Sequence, residues 1–238
     1  MTQDVTAVWR RNAADWLAWA RTPGHDVAFW ELNLPGLEQL LPHTGQLPPG
    51  EARVLDVGCG EGRVGRLLAE RGHRVWGLDS SDLLATAARD AGGYEEVVCG
   101  DAVALPWEDD SFDLALAFMT LMDMPGPLDA IRELARVLRP AGWLCMAIGH
   151  PFNQPPSSRE DYFEESRFEE EVERDGIRMR FVGHDRPLSF YTEALADSGF
   201  VIERLREPRP DPGWPERHPR LAEAYRIPFF LHIRARLS

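Results

Sequence analysis

The stretch VLDVGCGEG, residues 54–62, carries the clearest chemistry in the chain, because a hydrophobic run there enters glycines at 58, 60 and 62. Glycines in such a turn lack a Cβ, so a ligand can lie directly against the backbone. The helical periodicity that follows at once, GRVGRLLAERG with Val64, Leu67 and Leu68 on one face, sets a helix start beside the turn. A helix start offers unpaired N–H groups to a carboxylate or phosphate. A glycine turn alone is shared by nucleotide sites of several kinds and by purely structural turns. Two acids sharpen it. Asp79 closes the run HRVWGLD, where a carboxylate can accept hydrogen bonds from both hydroxyls of an adenosine ribose, and Asp101 is placed to reach the adenine amino group with the Ala102 N–H alongside. Asp56, one step inside the first strand, has two readings: ligand contact, or a tie that fastens the glycine turn through its backbone.

The elements that must hold these residues alternate regularly. Strands are expected at 53–57, 73–79, 95–101, 112–118 and 143–149, with helices between them, one opening at Ser80–Ser81 and one running from about Gly126 to Arg139 before Pro140. That alternation argues a mainly parallel sheet covered on both faces. On it the chemistry-bearing residues fall at the carboxyl ends of strands, where open α/β sheets bind ligands. Ahead of this block, Trp9, Trp16 and Trp19 share one helical face, and LPHTGQLPPG (41–50) reads as a linker. After it, residues 151–187 break the rhythm, with nine acids against three arginines between Arg159 and Asp175. Asp175–Gly176 is a hairpin signal. A helix over SFYTEALADSGF and strands at 200–207 and 229–237 complete the chain. The expected organisation is one domain with a helical cap (1–50), a ligand-binding core (51–150), an inserted flap (151–187) and a C-terminal helix and strands (188–238).

Composition narrows the function. The 238 residues carry a net charge of −13, and all 26 basic residues are arginine. Without lysine, a P-loop, a Schiff base or a pyridoxal phosphate linkage is excluded. The negative balance opposes nucleic acid, whose binding rests on neutralised phosphates. No apolar run approaches the roughly 20 residues that span a bilayer, and the N-terminus lacks the pattern of a signal peptide. Cys59, Cys99 and Cys145 have no CxxC spacing and are expected as buried reduced thiols, which together with the missing signal points to the cytoplasm. No metal site is indicated.

Taken in order, VLDVGCGEG, GLDSS (77–81), GDAVALPWEDDSFD (100–113) and RVLRPAGWLCMAIGHP (136–151) resemble the blocks of a class I S-adenosylmethionine-dependent methyltransferase over roughly residues 53–150. More loosely, LMDMPG (121–126), GHPFN (149–153) and residues 186–210 resemble the type 11 branch, which modifies small molecules. The resemblance implies a doubly wound, Rossmann-like seven-stranded sheet of order 3-2-1-4-5-7-6 with the last strand antiparallel. It also implies S-adenosylmethionine as cofactor and S-adenosylhomocysteine as product. Gly58 and Gly60 would take the methionine part, Asp79 and Ser80 the ribose, and Asp101, Ala102 and Phe118 the adenine side.

Methyl transfer from an activated sulfonium needs chiefly alignment of the acceptor and exclusion of water, with a general base where the acceptor is a hydroxyl or a protonated amine. His150, after the fifth strand, suits that base; the competing reading is a ring that bonds nearby backbone and turns the chain into Pro151. Asp123 could pair with His150, bind a cationic acceptor or cap the helix at Gly126. Tyr191 can face the acceptor or the core. His25, in the turn-like RTPGHD, can close over the cofactor or sit exposed in a loop. The Trp stripe reads as packing first and a lid second, and the acidic run as a solvated face unless it lines the pocket mouth, where it would steer cationic acceptors. The expected reaction is methylation of a small molecule at O, N or C, by a monomer or homodimer without nucleic acid or membrane partners. The alternatives are an RNA or protein methyltransferase, a protein that binds the cofactor without transferring its methyl group, and a nicotinamide oxidoreductase, which the GxGxG spacing disfavours.

Overall fold

The computed structural model describes residues 4–43, 45–48, 51–153 and 161–238, and its first strand is β1 (Arg53–Val57). Parts of the expected linker (44, 49–50) and of the expected flap (154–160) lie outside the described residues. Before β1 come helix α1 (Val5–Arg21), a single π turn (Phe29–Asn33) and α2 (Leu34–Leu40). After it follow α3 (Arg63–Glu70), β2 (Arg74–Asp79), α4 (Asp82–Ala91), β3 (Glu96–Cys99), β4 (Phe112–Phe118), α5 (Pro127–Val137) and β5 (Leu138–Gly149). The chain continues through β6 (Ser166–Arg174), β7 (Ile177–Asp185), α6 (Leu188–Asp197), β8 (Phe200–Arg206), the short α7 (Trp214–Arg217) and β9 (Phe230–Leu237).

The main sheet has the order β3-β2-β1-β4-β5-β9-β8, with β9 antiparallel to both neighbours. Leaving aside the separate β6–β7 hairpin, this is the expected order. Its central strands are mostly hydrophobic because both faces are covered; all seven residues of β4 are buried, Asp113 among them. Leu37, Leu40, Val64 and Leu68 of α2 and α3 pack on one face with Val54, Leu114 and Leu116. Ile131, Leu134 and Leu195 of α5 and α6 pack on the other with Leu55 and Ala117.

Three local expectations are corrected. Helix α5 ends at Val137 rather than running to Arg139, because the residue before a proline is pushed towards extended backbone, so Leu138 and Arg139 already belong to β5. The helical spacing that groups Leu128 with Ile131, Leu134, Ala135 and Leu138 on one apolar face fails at Leu128, which is exposed. Cys59 and Cys145 are buried and free, but Cys99 is exposed, since β3 is an edge strand.

The hairpin turns at Asp175 (φ 51°) and Gly176 (φ 78°), the left-handed pair of a two-residue turn matched to strand twist. Helix α1 lies along its β7 edge: Trp9 Nε1 donates to the Val182 carbonyl and Asn12 Nδ2 to the Arg180 carbonyl, both at 2.9 Å. Trp16 and Trp19 meet Phe181 edge-on at 6.3 and 6.0 Å. Glu169, Glu171 and Glu173 are exposed and paired with Arg180 and Arg178, a solvated face as charge runs usually are. Among the described residues, no helix is long and apolar enough to cross a membrane.

Candidate active site

A cavity of about 650 Å³ opens over the carboxyl ends of β1, β2 and β4 and is roofed by α1 and the hairpin. At one end lies the glycine turn. The Gly58 and Cys59 N–H groups both donate to the Leu78 carbonyl (2.7 and 3.0 Å), which locks the turn onto β2. Gly58 adopts φ +70°, and a Cβ there would lie 2.1 Å from Thr120 Oγ1, so the close approach of β1 and the β4 loop demands glycine. Gly60, at φ +58°, donates to Asp79 Oδ2 at 2.9 Å. The Ser81 N–H donates to Asp79 Oδ1 at 2.8 Å, and Ser81 Oγ caps α4. Asp79 therefore splints two turns while facing the cavity, and each of its oxygens retains a lone pair for a ligand. Burial raises its pKa, opposed by these two N–H groups.

Asp56 takes the second of its readings. It is buried, its Oδ2 accepts from the Tyr94 hydroxyl at 2.8 Å, and the Gly65 N–H reaches it as well. It fastens the turn to α3, and burial pushes its pKa up to about 6 against the Tyr94 bond. Asp101 is exposed, with Oδ1 accepting from the Val103 N–H at 3.2 Å, while Ala102 beside it is buried. Gly58, Gly60, Asp79, Ser80, Asp101, Ala102 and Phe118 all line the same cavity. Phe118 does so from the other side, packed edge-on against Phe29 at 6.1 Å among the α2-face side chains, whereas Ala102 belongs to the α5 face.

Sequence reasoning passed over Arg63, the first residue of α3. Its Nη2 pairs with Asp26 Oδ2 at 2.8 Å and its guanidinium lies 3.4 Å from the centre of the Phe29 ring. Its buried Nη1 has no hydrogen-bond partner among the described residues, although the residue lines the cavity. A signal existed: Arg63 directly follows the last glycine of the motif.

The far end of the cavity holds Asp123, Tyr191 and Arg186. Among the described residues no hydrogen bond holds the Asp123 carboxyl; burial raises its pKa well above the carboxylate range, opposed by Arg186. Tyr191, also buried, is pushed up to about 12 by burial, again opposed by Arg186. Two expectations fare differently. His150 does not line the cavity: Nε2 pairs with Glu207 Oε1 at 2.9 Å and Nδ1 accepts the Phe152 N–H at 3.1 Å, so both ring nitrogens are spent on the turn into Pro151. It does not meet Asp123, and the structural reading of the two is the one its geometry supports. His25 is not an exposed loop residue. It is 3% exposed, lies against the Trp19 ring, bonds Asp175 Oδ2 at 3.0 Å and forms part of the cavity wall. Of the acidic run, Glu170 reaches the cavity lining, so steering by that run has little charge behind it.

The sheet order, the glycine turn locked to β2 and the acid at the end of β2 define the class: this is the fold of the class I S-adenosylmethionine-dependent methyltransferases. Residues 55–146 match the family model described as a methyltransferase domain, as the sequence blocks led us to expect. Among curated proteins the chain is similar to methyltransferase GfsG of Streptomyces halstedii, 42% identical over 102 residues, or 40% of this chain and 37% of that protein. It is also similar to malonyl-[acyl-carrier protein] O-methyltransferase of Salmonella typhimurium, 40% identical over 91 residues, or 38% and 36%. The chain thus spans well under half the length of these curated relatives. Over nearly its whole length it resembles the solved S-adenosylmethionine-dependent methyltransferase of Mesorhizobium loti, with 28% identity, a TM-score of 0.67, and 89% of this chain and 98% of that one covered. These likenesses make S-adenosylmethionine the cofactor for which the cavity is tested.

Proposed function

We propose that the protein transfers the methyl group of S-adenosylmethionine to a small-molecule O, N or C acceptor. The observation that carries this is a continuous roofed cavity, which runs from the glycine turn and Asp79 to Asp123 and Tyr191 and has the volume of a small-molecule site, roughly 300–1,000 Å³. A macromolecular acceptor would need a cleft open to its chain, whereas α1 and the hairpin close over this one.

The residues at the glycine end fit the cofactor. Asp79 has lone pairs for the ribose, Asp101 and Ala102 stand where the adenine edge would lie, and the orphaned Nη1 of Arg63 supplies a buried cation for the methionine carboxylate. When bound, the cofactor supplies a methyl carbon already activated by its sulfonium. The remaining tasks fall to the protein. Trp9, Trp16, Trp19 and Phe181 exclude water from above, and the acceptor is held at the Asp123 end so that its nucleophile approaches in line. Asp123 is the base we assign: its raised pKa suits removal of a hydroxyl or ammonium proton, and no other contact among the described residues claims its oxygens.

The test is incubation with cofactor bearing a deuterated methyl group and a metabolite extract, read by mass spectrometry. Label in small molecules is the expected result. Label confined to RNA or protein, or none despite measured cofactor binding, would overturn the proposal.

A further inference from the structure

We infer that Arg186, with Tyr191 beside it, is the anchor for a carboxylate carried by the acceptor. The inference rests on the methyl-transfer reading above and adds the chemical class of the acceptor to it. Arg186 follows β7 directly and is 2% exposed, yet it lines the cavity. Two of its three nitrogens are occupied: Nε donates to Glu165 Oε2 at 2.6 Å and Nη2 to the Met124 carbonyl at 3.3 Å. Its plane also rests against the Phe190 ring, 5.1 Å from the centre. Nη1 is buried and has no hydrogen-bond partner among the described residues. A buried guanidinium nitrogen left without an acceptor loses hydration and regains nothing, so such an atom in a cavity wall marks the place of a missing oxygen.

The surroundings select the oxygen's charge. Glu165, the existing ionic partner, is 51% exposed at its side chain and therefore only partly cancels the guanidinium. Asp123 lines the same end without a hydrogen bond to Arg186 among the described residues; burial raises its pKa and the Arg186 guanidinium opposes that rise. Asp185, the preceding residue, is buried and has contacts of its own. The Tyr191 hydroxyl, held near the guanidinium, is a second donor whose proton stays on at neutral pH because burial pushes it up to about 12. The guanidinium fork and the Tyr191 hydroxyl together present donors to a planar group with two oxygens, the geometry that arginine recognises best. The site also explains how an acceptor could be oriented: its carboxylate is fixed by Arg186, just after β7, and its nucleophile lies beside Asp123 on the β4 loop.

The labelled product from the deuterated-methyl experiment is identified by tandem mass spectrometry, and its precursor is assayed as the acid and as the primary amide. The expected result is an acceptor bearing a carboxylate whose amide is at least about 30-fold poorer in kcat/KM, the lower range for removing one member of a buried charge pair. Arg186→Gln should raise the KM for the acid by a similar factor and abolish the preference for acid over amide, with cofactor affinity within threefold of the parent. Arg186→Lys, which keeps the charge but not the fork, should fall between them, and Tyr191→Phe should cost a smaller factor. If Arg186→Gln fails to fold, the acid–amide comparison in the unaltered protein decides the matter. A labelled acceptor without a carboxylate, or an amide as good as the acid, overturns the carboxylate anchor and leaves methyl transfer standing. Absence of label with cofactor bound removes both.

Discussion

Replacing Arg63 by methionine isolates the cofactor's carboxylate from the rest of its binding energy. In the folded protein the guanidinium is stacked on Phe29, paired through Nη2 with Asp26, and left with a buried Nη1 that has no hydrogen-bond partner among the described residues. If that Nη1 takes the methionine carboxylate, its loss removes a charge-assisted hydrogen bond of about 1.5–3 kcal/mol, or roughly 10- to 150-fold in Kd. Methionine keeps the apolar stem against Phe29. It also strands Asp26, whose remaining bond is a 3.3 Å acceptance from the Phe29 N–H, and a stranded carboxylate would repel the ligand's own. The double variant Arg63→Met/Asp26→Asn removes that repulsion, so its affinity should lie above that of the single variant and below that of the parent. Calorimetric titration with S-adenosylhomocysteine and with 5′-methylthioadenosine, which lacks the carboxylate, gives the contrast needed. The first ligand should weaken by at least 10-fold and the second by less than threefold. S-adenosylhomocysteine binding within threefold of the parent, or equal losses for both ligands, would refute the assignment of Arg63.

Other consequences are equally direct. Asp79→Ala should abolish detectable cofactor binding and, because it strands the Gly60 and Ser81 N–H groups, also cost about 2–6 kcal/mol of stability measured by urea unfolding; Asp79→Ala with parental affinity would remove Asp79 from the site. Asp56, at about 6 when folded against about 3.9 when unfolded, binds more protons in the native state between those values, so its contribution to stability is complete below pH 4 and is lost as pH rises through 6. Asp56→Asn should flatten the fall in Tm over pH 4–6.5, and an unchanged slope would place the titration elsewhere. His150→Gln should lower Tm, through its bonds to Glu207 and Phe152, while kcat stays within threefold at a temperature where the variant is folded; a 10-fold drop in kcat would return His150 to the chemistry. Turnover of a hydroxyl or amine acceptor should rise with pH as Asp123 loses its proton, and Asp123→Asn should remove that limb along with most of the activity.

What could be read along the chain and what could not divide by the range of the interaction that decides each point. The strand at 53–57 and the helix cap at Ser81 rest on neighbours within a few residues, and both stand where the residue pattern puts them. The end of α5 was misplaced by two residues for an equally local reason, the extended preference imposed on Arg139 by Pro140. The roles of individual polar groups depend on partners remote in the chain. His25 is buried because Asp175, 150 residues away, comes to it on the tip of the hairpin; His150 is withdrawn from the cavity by Glu207, 57 residues on. Histidine spacing contains neither fact. Arg63 and Arg186, each with an Nη1 that has no hydrogen-bond partner among the described residues, show the same division: Arg63 stands beside a legible motif, whereas Arg186 enters the cavity wall because a nine-residue strand carries the chain back across it. The cofactor end is built from turns that follow their own strands, and sequence blocks expose it. The acceptor end is assembled from the β4 loop, the hairpin and α6, three segments joined by packing alone. Of these three, only the β4 loop falls within residues 55–146, the part of the chain that matches the methyltransferase domain, so the hairpin and α6 lie beyond the motifs that made the cofactor end legible.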